Sequence, residues 1–519
     1  MAGGSAQLGR AAGILLPVFS LPGRYGIGSL GKEACRFVDF LREAGQSYWQ
    51  ILPMGPTSYG DSPYQSFSTY AGNPYFIDID TLVEDGLLTE SEAAVEEKPD
   101  GVPIDYEELY RKRFVLLRKA YDRFLLTPDG VGEFKKLRSD YADFTAKNAD
   151  WLDDFSLFMA LKTAYGGKSF LEWDAALRLR EPAAIAAARK KYAEEIDFHA
   201  FLQYLFAVQY AELKRYAGEA GVRIIGDIPI YVAPDSSDVW ANPELFQLDE
   251  NRVPIAVAGC PPDAFSATGQ LWGNPLYRWQ KHAETGFAWW MERLRHAFSM
   301  CDVLRIDHFR GFESYYSIPY GHKTAEFGRW EKGPDHAFFE TLHEKLGDVP
   351  VIAEDLGFLT PEVLKLVADT GYPGMKVLQF AFDSREESDY LPHHYPTNCV
   401  VYTGTHDNDT TNSWFDEIPE ADRAYAREYL GYRGTDDTDP ATALIRAALA
   451  SVADTVVIPM QDWLGLGSEA RINHPSTLGG NWIWRMKSGL LTEKLTERIR
   501  RMTRLYGRIH KIASDIEFG

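Results

Sequence analysis

A chain of 519 residues with 45% hydrophobic and 25% charged residues carries enough apolar surface for a large packed core, which excludes a disordered or fibrous protein. Acidic residues outnumber basic ones 75 to 54, and the net charge of −21 repels polyphosphates and anionic membranes and offers no basic groove for nucleic acid. No stretch approaches the ~20 apolar residues that span a bilayer, so the expectation is a soluble protein acting on a neutral substrate.

In chain order, the first apolar run, 11–19, follows a single Arg10, is broken by Pro17 and lacks a small-residue cleavage site. It reads as a strand and not as a secretion signal. Short apolar runs that end in polar or acidic residues and lead into helical patterns then recur, predicting strands over 13–19, 48–53, 222–229, 302–307, 349–355, 376–382, 399–405 and 455–461. Eight such units predict the α/β class and a (β/α)₈ TIM barrel. A doubly wound open sheet is the competing architecture, but the first strand is not followed by the glycine-rich phosphate turn such sheets carry.

About 170 residues separate the second strand from the third, far more than one crossover helix needs. Dense Ala, Leu, Lys and Glu over 109–126, 154–164 and 182–220 predict helices there, with Pro182 at a helix start and Gly221 at a stop. The expected organisation is one catalytic barrel over 1–519, with a mainly helical insertion at 80–220 and a substrate-covering insertion at 231–300. A basic helix over 491–511 closes the barrel, its arginines reading as a solvated face, and no C-terminal β-sandwich domain is recognisable. The four cysteines, Cys35, Cys260, Cys301 and Cys399, are scattered without metal-ligand spacing and read as free thiols of a reducing cytoplasm.

Barrel enzymes work at the carboxyl ends of their strands, and four predicted strands end in acids. These are Gly226-Asp227-Ile228-Pro229, Arg305-Ile306-Asp307-His308, Glu354-Asp355-Leu356-Gly357 and Thr405-His406-Asp407-Asn408-Asp409. One acid after a strand can simply cap the next helix, but four converging on one face suit chemistry that manages an oxocarbenium-like positive charge. Arg305 and Asp307, two apart, point the same way, so the guanidinium would orient Asp307 and keep it ionised. Glu354, one strand on, would have its pKa raised by burial and neighbouring negative charge and so be able to donate a proton.

These segments make the chain resemble the amylomaltases of glycoside hydrolase family seventy-seven, in the α-amylase clan. The resemblance extends to Gly13-Ile14-Leu15-Leu16-Pro17, Ser62-Pro63-Tyr64-Gln65-Ser66, Ala71-Gly72-Asn73-Pro74, Pro261-Pro262-Asp263 and Trp272-Gly273-Asn274-Pro275. It implies a 4-α-glucanotransferase, with Asp307 as nucleophile, Glu354 as general acid/base and Asp407 as the carboxylate that binds ring hydroxyls. Arg305 and His406 would be companions of those acids, and Asp227 a supporting acid that fits a buried structural role equally well. Tyr59, Asp61, Ser62, Tyr64, Gln270, Trp272, Asn274, Asp383 and Asn473 lie in loops that match substrate-binding segments, and His308 fits either substrate contact or a backbone cap.

The expected mechanism is a retaining double displacement with no cofactor and no metal, which places the two carboxyl groups about 5–5.5 Å apart. The expected partners are maltooligosaccharides and other 1,4-α-glucans, with glucose as acceptor; nucleic acid and membrane are not expected. The loop 258–263 would cover the covalent intermediate against water. An α-1,4-glucan hydrolase using the same carboxylates is the alternative; a catalytically silent glucan-binding barrel would need no ionised nucleophile beside a protonated acid.

Overall fold

The computed structural model describes residues 8–58, 60–95, 99–127, 134–262, 266–357, 359–434 and 439–509. Its strands are β1 (Ala11–Leu15), β2 (Tyr48–Gln50), β3 (Arg223–Pro229), β4 (Ala256–Cys260), β5 (Gln270–Pro275), β6 (Val303–Asp307), β7 (Ser314–Pro319), β8 (Arg329–Lys332), β9 (Val351–Ala353), β10 (Gly374–Val377), β11 (Cys399–Tyr402) and β12 (Thr455–Pro459). Eight of them close into a barrel in the order β1-β2-β3-β6-β9-β10-β11-β12, and every barrel pair is parallel. The (β/α)₈ barrel expected from the sequence is present, each strand falling within or beside its predicted span.

Apolar side chains fill the barrel rather than leaving a pore. Leu15, Tyr48, Ile225, Val303, Ile352, Met375, Val400, Tyr402 and Val457 form one buried cluster inside it. At the β1–β2 seam a Cβ on Gly13 would lie 2.6 Å from Tyr48 Cβ and 2.8 Å from its carbonyl oxygen, so the close approach requires glycine. The strands stop earlier than the apolar runs: Pro17 turns the first run into a 3-10 turn at Val18–Ser20, and Pro459 ends β12 and starts the helix Met460–Leu464.

Between β2 and β3 the chain is helical, with Tyr106–Leu126, Phe134–Lys147, Ala149–Ala164, Pro182–Lys191 and Ala193–Glu219 as its longer helices. Pro182 occupies the first turn of its helix, where no N–H is needed. The loops after β3 and β6 jointly build a four-stranded antiparallel sheet, β5-β4-β7-β8, which the sequence reading did not foresee.

The last described helix, Glu493–Leu505, buries Ile499, Met502 and Thr503. Arg508, just beyond it, corrects the reading of this segment's arginines as a solvated face. It is fully buried, and its guanidinium donates to the carbonyls of Ala11, Leu449, Ser451, Ala453 and Asp454 at 2.7–3.2 Å. It thereby ties the start of β1 to the turn before β12. No helix among the described residues is long and apolar enough to cross a membrane.

Candidate active site

The barrel register brings the acids together. β3 pairs with β6 so that Asp227 lies opposite Arg305, and β6 pairs with β9 so that Ile306 lies opposite Ala353; Asp307 and Glu354 therefore emerge level at the same end. Arg305, 4% exposed, donates from Nη1 to both Asp227 oxygens at 2.8 Å and reaches Asp307 Oδ1 with Nη2 at 3.0 Å. One planar fork thus fixes two carboxylates, a task a lysine could not perform. Tyr64 adds a hydroxyl donor to Asp227 at 2.8 Å and stacks on His406 with ring centroids 5.1 Å apart.

Glu354 is half-buried and accepts two backbone N–H bonds, from His308 to Oε2 at 2.6 Å and from Leu356 to Oε1 at 2.9 Å. His308 makes that bond from a left-handed backbone, φ 55°, at the turn between β6 and Phe309–Phe312. Its ring meets Trp272 edge to face at 4.7 Å, burial keeps it neutral by pushing its pKa down to about 3, and its Nε2 is buried with no hydrogen-bond partner among the described residues. Asp407 accepts from Asn473 Nδ2 at 2.7 Å, and His406 Nε2 lies 3.3 Å from the same oxygen.

Burial raises the pKa of Asp307 against the pull of Arg305, with Asp227 and Asp407 adding to the rise. The expected effect of Arg305 is present, but desolvation outweighs it. Glu354 is also raised, by burial first and by the charge of Asp307 second, with Arg305 and its two backbone donors opposing. Both carboxyls therefore titrate above the usual range, and each proton held by one is favoured by the charge of the other.

A cleft of about 500 Å³ opens at this mouth. Asp307, His308, His406, Asp407 and Asn473 line it, and β5 and the loop after β2 add Gln270, Trp272, Asn274, Ser62 and Tyr64. Asp227 and Arg305 sit behind Tyr64 and Asp307 and hold them. Asn274 is only 4% exposed and is spent on Val232 O at 2.7 Å and on Gln65, so much of its role is to brace the wall. Asp61 lies off the cleft wall. Asp383 does too, because it turns back onto Arg385 of its own loop, at 2.6–2.9 Å. Tyr59 and Asp263, at the end of the covering loop, fall outside the described residues.

The wall also contains residues the sequence reading passed over: Tyr231, Lys323, Ser476 and Trp482. Trp482 closes an aromatic corner with Tyr64 and His406, both 5.9 Å away. Its signal was available in the run Gly479-Gly480-Asn481-Trp482, an aromatic in a glycine-rich turn. Lys323 gave none, because it belongs to the unforeseen β7–β8 connection.

Fold and mouth together define a (β/α)₈ barrel whose strand ends gather carboxylates around one open cleft. The family model described as 4-alpha-glucanotransferase matches residues 16–492. Over 496 residues the chain is 49% identical to the 4-alpha-glucanotransferase of Clostridium butyricum, covering 95% of this chain and 99% of that one, and over 503 residues it is 48% identical to that of Thermus thermophilus, covering 96% and 98%. The amylomaltase of Streptococcus agalactiae, solved with acarbose, superposes with a TM-score of 0.92 at 43% identity, covering 96% of this chain and all of that one. The chain belongs to the 4-alpha-glucanotransferase family, and 4-alpha-glucanotransferase activity, in preference to hydrolysis of the same bond, is what these relationships support.

Proposed function

We propose that the transfer proceeds by a retaining double displacement with Asp307 as nucleophile and Glu354 as acid and base. Asp307 attacks the anomeric carbon of a 1,4-α-glucan while Glu354 protonates the departing 4-oxygen. Glu354, now ionised, then takes the proton of an acceptor 4-hydroxyl, which attacks the same carbon and releases Asp307. The observation that carries this reading is the shared electrostatic frame: Arg305 opposes the protonation of Asp307, while Glu354, next to it, is biased towards its protonated form by burial and by the charge of Asp307.

Asp407, steadied by Asn473 and His406, is placed to accept hydroxyls of the ring undergoing reaction and to favour developing positive charge. Trp272, Tyr64 and Trp482 provide apolar faces for neighbouring sugars, and the unpaired Nε2 of His308 suits a hydroxyl. That the S. agalactiae relative was solved in complex with acarbose supports a glucan ligand for this chain as well. Maltooligosaccharides would serve as donors and glucose or another 1,4-α-glucan as acceptor. The segment from β4 to β5 would act as the cover that keeps water from the intermediate. The thiols of Cys35, Cys301 and Cys399 are unbridged, which supports work in a reducing cytoplasm.

Incubation with maltotriose, following free glucose, longer maltooligosaccharides and total reducing ends, tests this function. A ladder of longer glucans with glucose and nearly constant reducing ends is expected. Shorter products alone, with reducing ends rising at each cleavage, would mean water is the acceptor.

A further inference from the structure

The loop after β10 carries three potential metal ligands, Glu387, His393 and His394, the one such group among the described residues, with ligand atoms all within 4.8 Å of one another. Glu387 Oε1 lies 3.0 Å from His394 Nε2 and 3.8 Å from His393 Nε2. Two ligands on a tetrahedral zinc ion are separated by about 3.3 Å, given bonds of about 2.0–2.1 Å, so the observed spacings bracket that value.

His393 Nδ1 is 2.9 Å from the Tyr429 hydroxyl, a contact that steadies the ring, while Asp389 Oδ1 lies 3.9 Å from His394 Nδ1, beyond hydrogen-bond reach. The two imidazole rings stand close, with centroids 4.2 Å apart, so a single cation is within reach of both histidines and of Glu387.

We propose that Glu387, His393 and His394 bind a zinc-class divalent transition metal, with water completing the coordination on the solvent side. The site is separate from the glucan cleft, none of whose lining residues it shares. Its effect is on the loop. Tyr390, enclosed between the ligands in sequence, packs edge to face on Phe380 at 5.5 Å, and its main-chain oxygen accepts from Tyr395 at 2.7 Å. A metal would staple 387 to 393–394 and hold Tyr390 against the end of β10.

The test is titration of the chelator-treated full chain with Zn²⁺ against a chromophoric chelator, alongside thermal melts with and without Zn²⁺. We expect one ion per chain with a micromolar dissociation constant and a higher melting temperature on loading. Glu387→Gln and His394→Ala should each weaken binding at least tenfold and remove the thermal shift, Tyr429→Phe should weaken it about tenfold, and His336→Ala, at a separate surface histidine, should change neither. Metal-free transferase rates should be unaltered by the Glu387 and His394 changes. No saturable binding by the wild type, or equal binding by wild type, Glu387→Gln and His394→Ala, would overturn the assignment.

Discussion

Arg305 touches Asp307 with one amino group, at 3.0 Å, while the other is committed to both oxygens of Asp227. The guanidinium is 4% exposed, so its charge acts on Asp307 with little solvent screening. Lysine at this position could satisfy only one carboxylate. Arg305→Lys is expected to lower kcat about 100-fold or more and to shift the acid limb of the rate profile upward, because an ammonium drawn to Asp227 no longer touches Asp307 and opposes its protonation less. Steady-state kinetics across pH on the folded variant would check this; an unchanged acid limb would separate Arg305 from Asp307.

The rate should depend on pH as a bell. It falls on the acid side as Asp307 takes up a proton, above the ordinary aspartate range, and on the alkaline side as Glu354 loses the proton it must donate. The same shifts predict stability. Glu354 has a higher pKa folded than its unfolded value of about 4.3, so its favourable contribution is complete below that value and is lost as pH rises through the folded pKa. Glu354→Gln should therefore gain melting temperature relative to wild type between pH 4 and pH 8. Parallel melting curves for the two proteins over that range would contradict the raised pKa.

Asn473→Asp replaces the amide that donates to Asp407 at 2.7 Å with a like charge. One of the two carboxylates must then hold a proton, and we expect kcat/KM at pH 7 to drop roughly 100-fold, with partial recovery at lower pH. Asn473→Ala should lose less and show no such recovery. The paired pH profiles distinguish a charge effect from lost shape.

Arg508→Met removes five buried donors from five carbonyls at the β1–β12 seam. Orphaned buried carbonyls cost about 1–3 kcal/mol each in the worst case, but local water entry will satisfy part of them, so a loss of about 2–4 kcal/mol is expected. Urea unfolding measures it, and the Michaelis constant should remain near the wild-type value.

The barrel was legible because parallel strands buried on both faces read as unbroken apolar runs, such as Val303-Leu304-Arg305-Ile306 with its single functional interruption. The acids were legible because they follow those runs directly. What escaped was the small antiparallel sheet. β5 mixes Gln, Trp, Gly, Asn and Pro, and the four residues of β8 are mostly exposed, so neither shows the alternation that marks a half-buried strand. Asp383 escaped for another reason: its partner, Arg385, is decided by the path of one exposed loop. Arg508 was misread because its carbonyl partners lie 54–59 residues back at 449–454 and 497 residues back at Ala11, and no local pattern records that closure.

The central claim is a covalent bond to Asp307, and the most direct measurement is peptide mass spectrometry of the Glu354→Gln variant after reaction with an α-maltotriosyl fluoride. Fluoride leaves without protonation, so Asp307 can still attack, while the amide cannot activate an acceptor and the intermediate should accumulate. The account predicts a maltotriosyl adduct on the peptide containing Asp307, on that residue and absent from Asp307→Asn/Glu354→Gln. An adduct on a different residue, or rapid fluoride release of inverted product with no adduct, would contradict it.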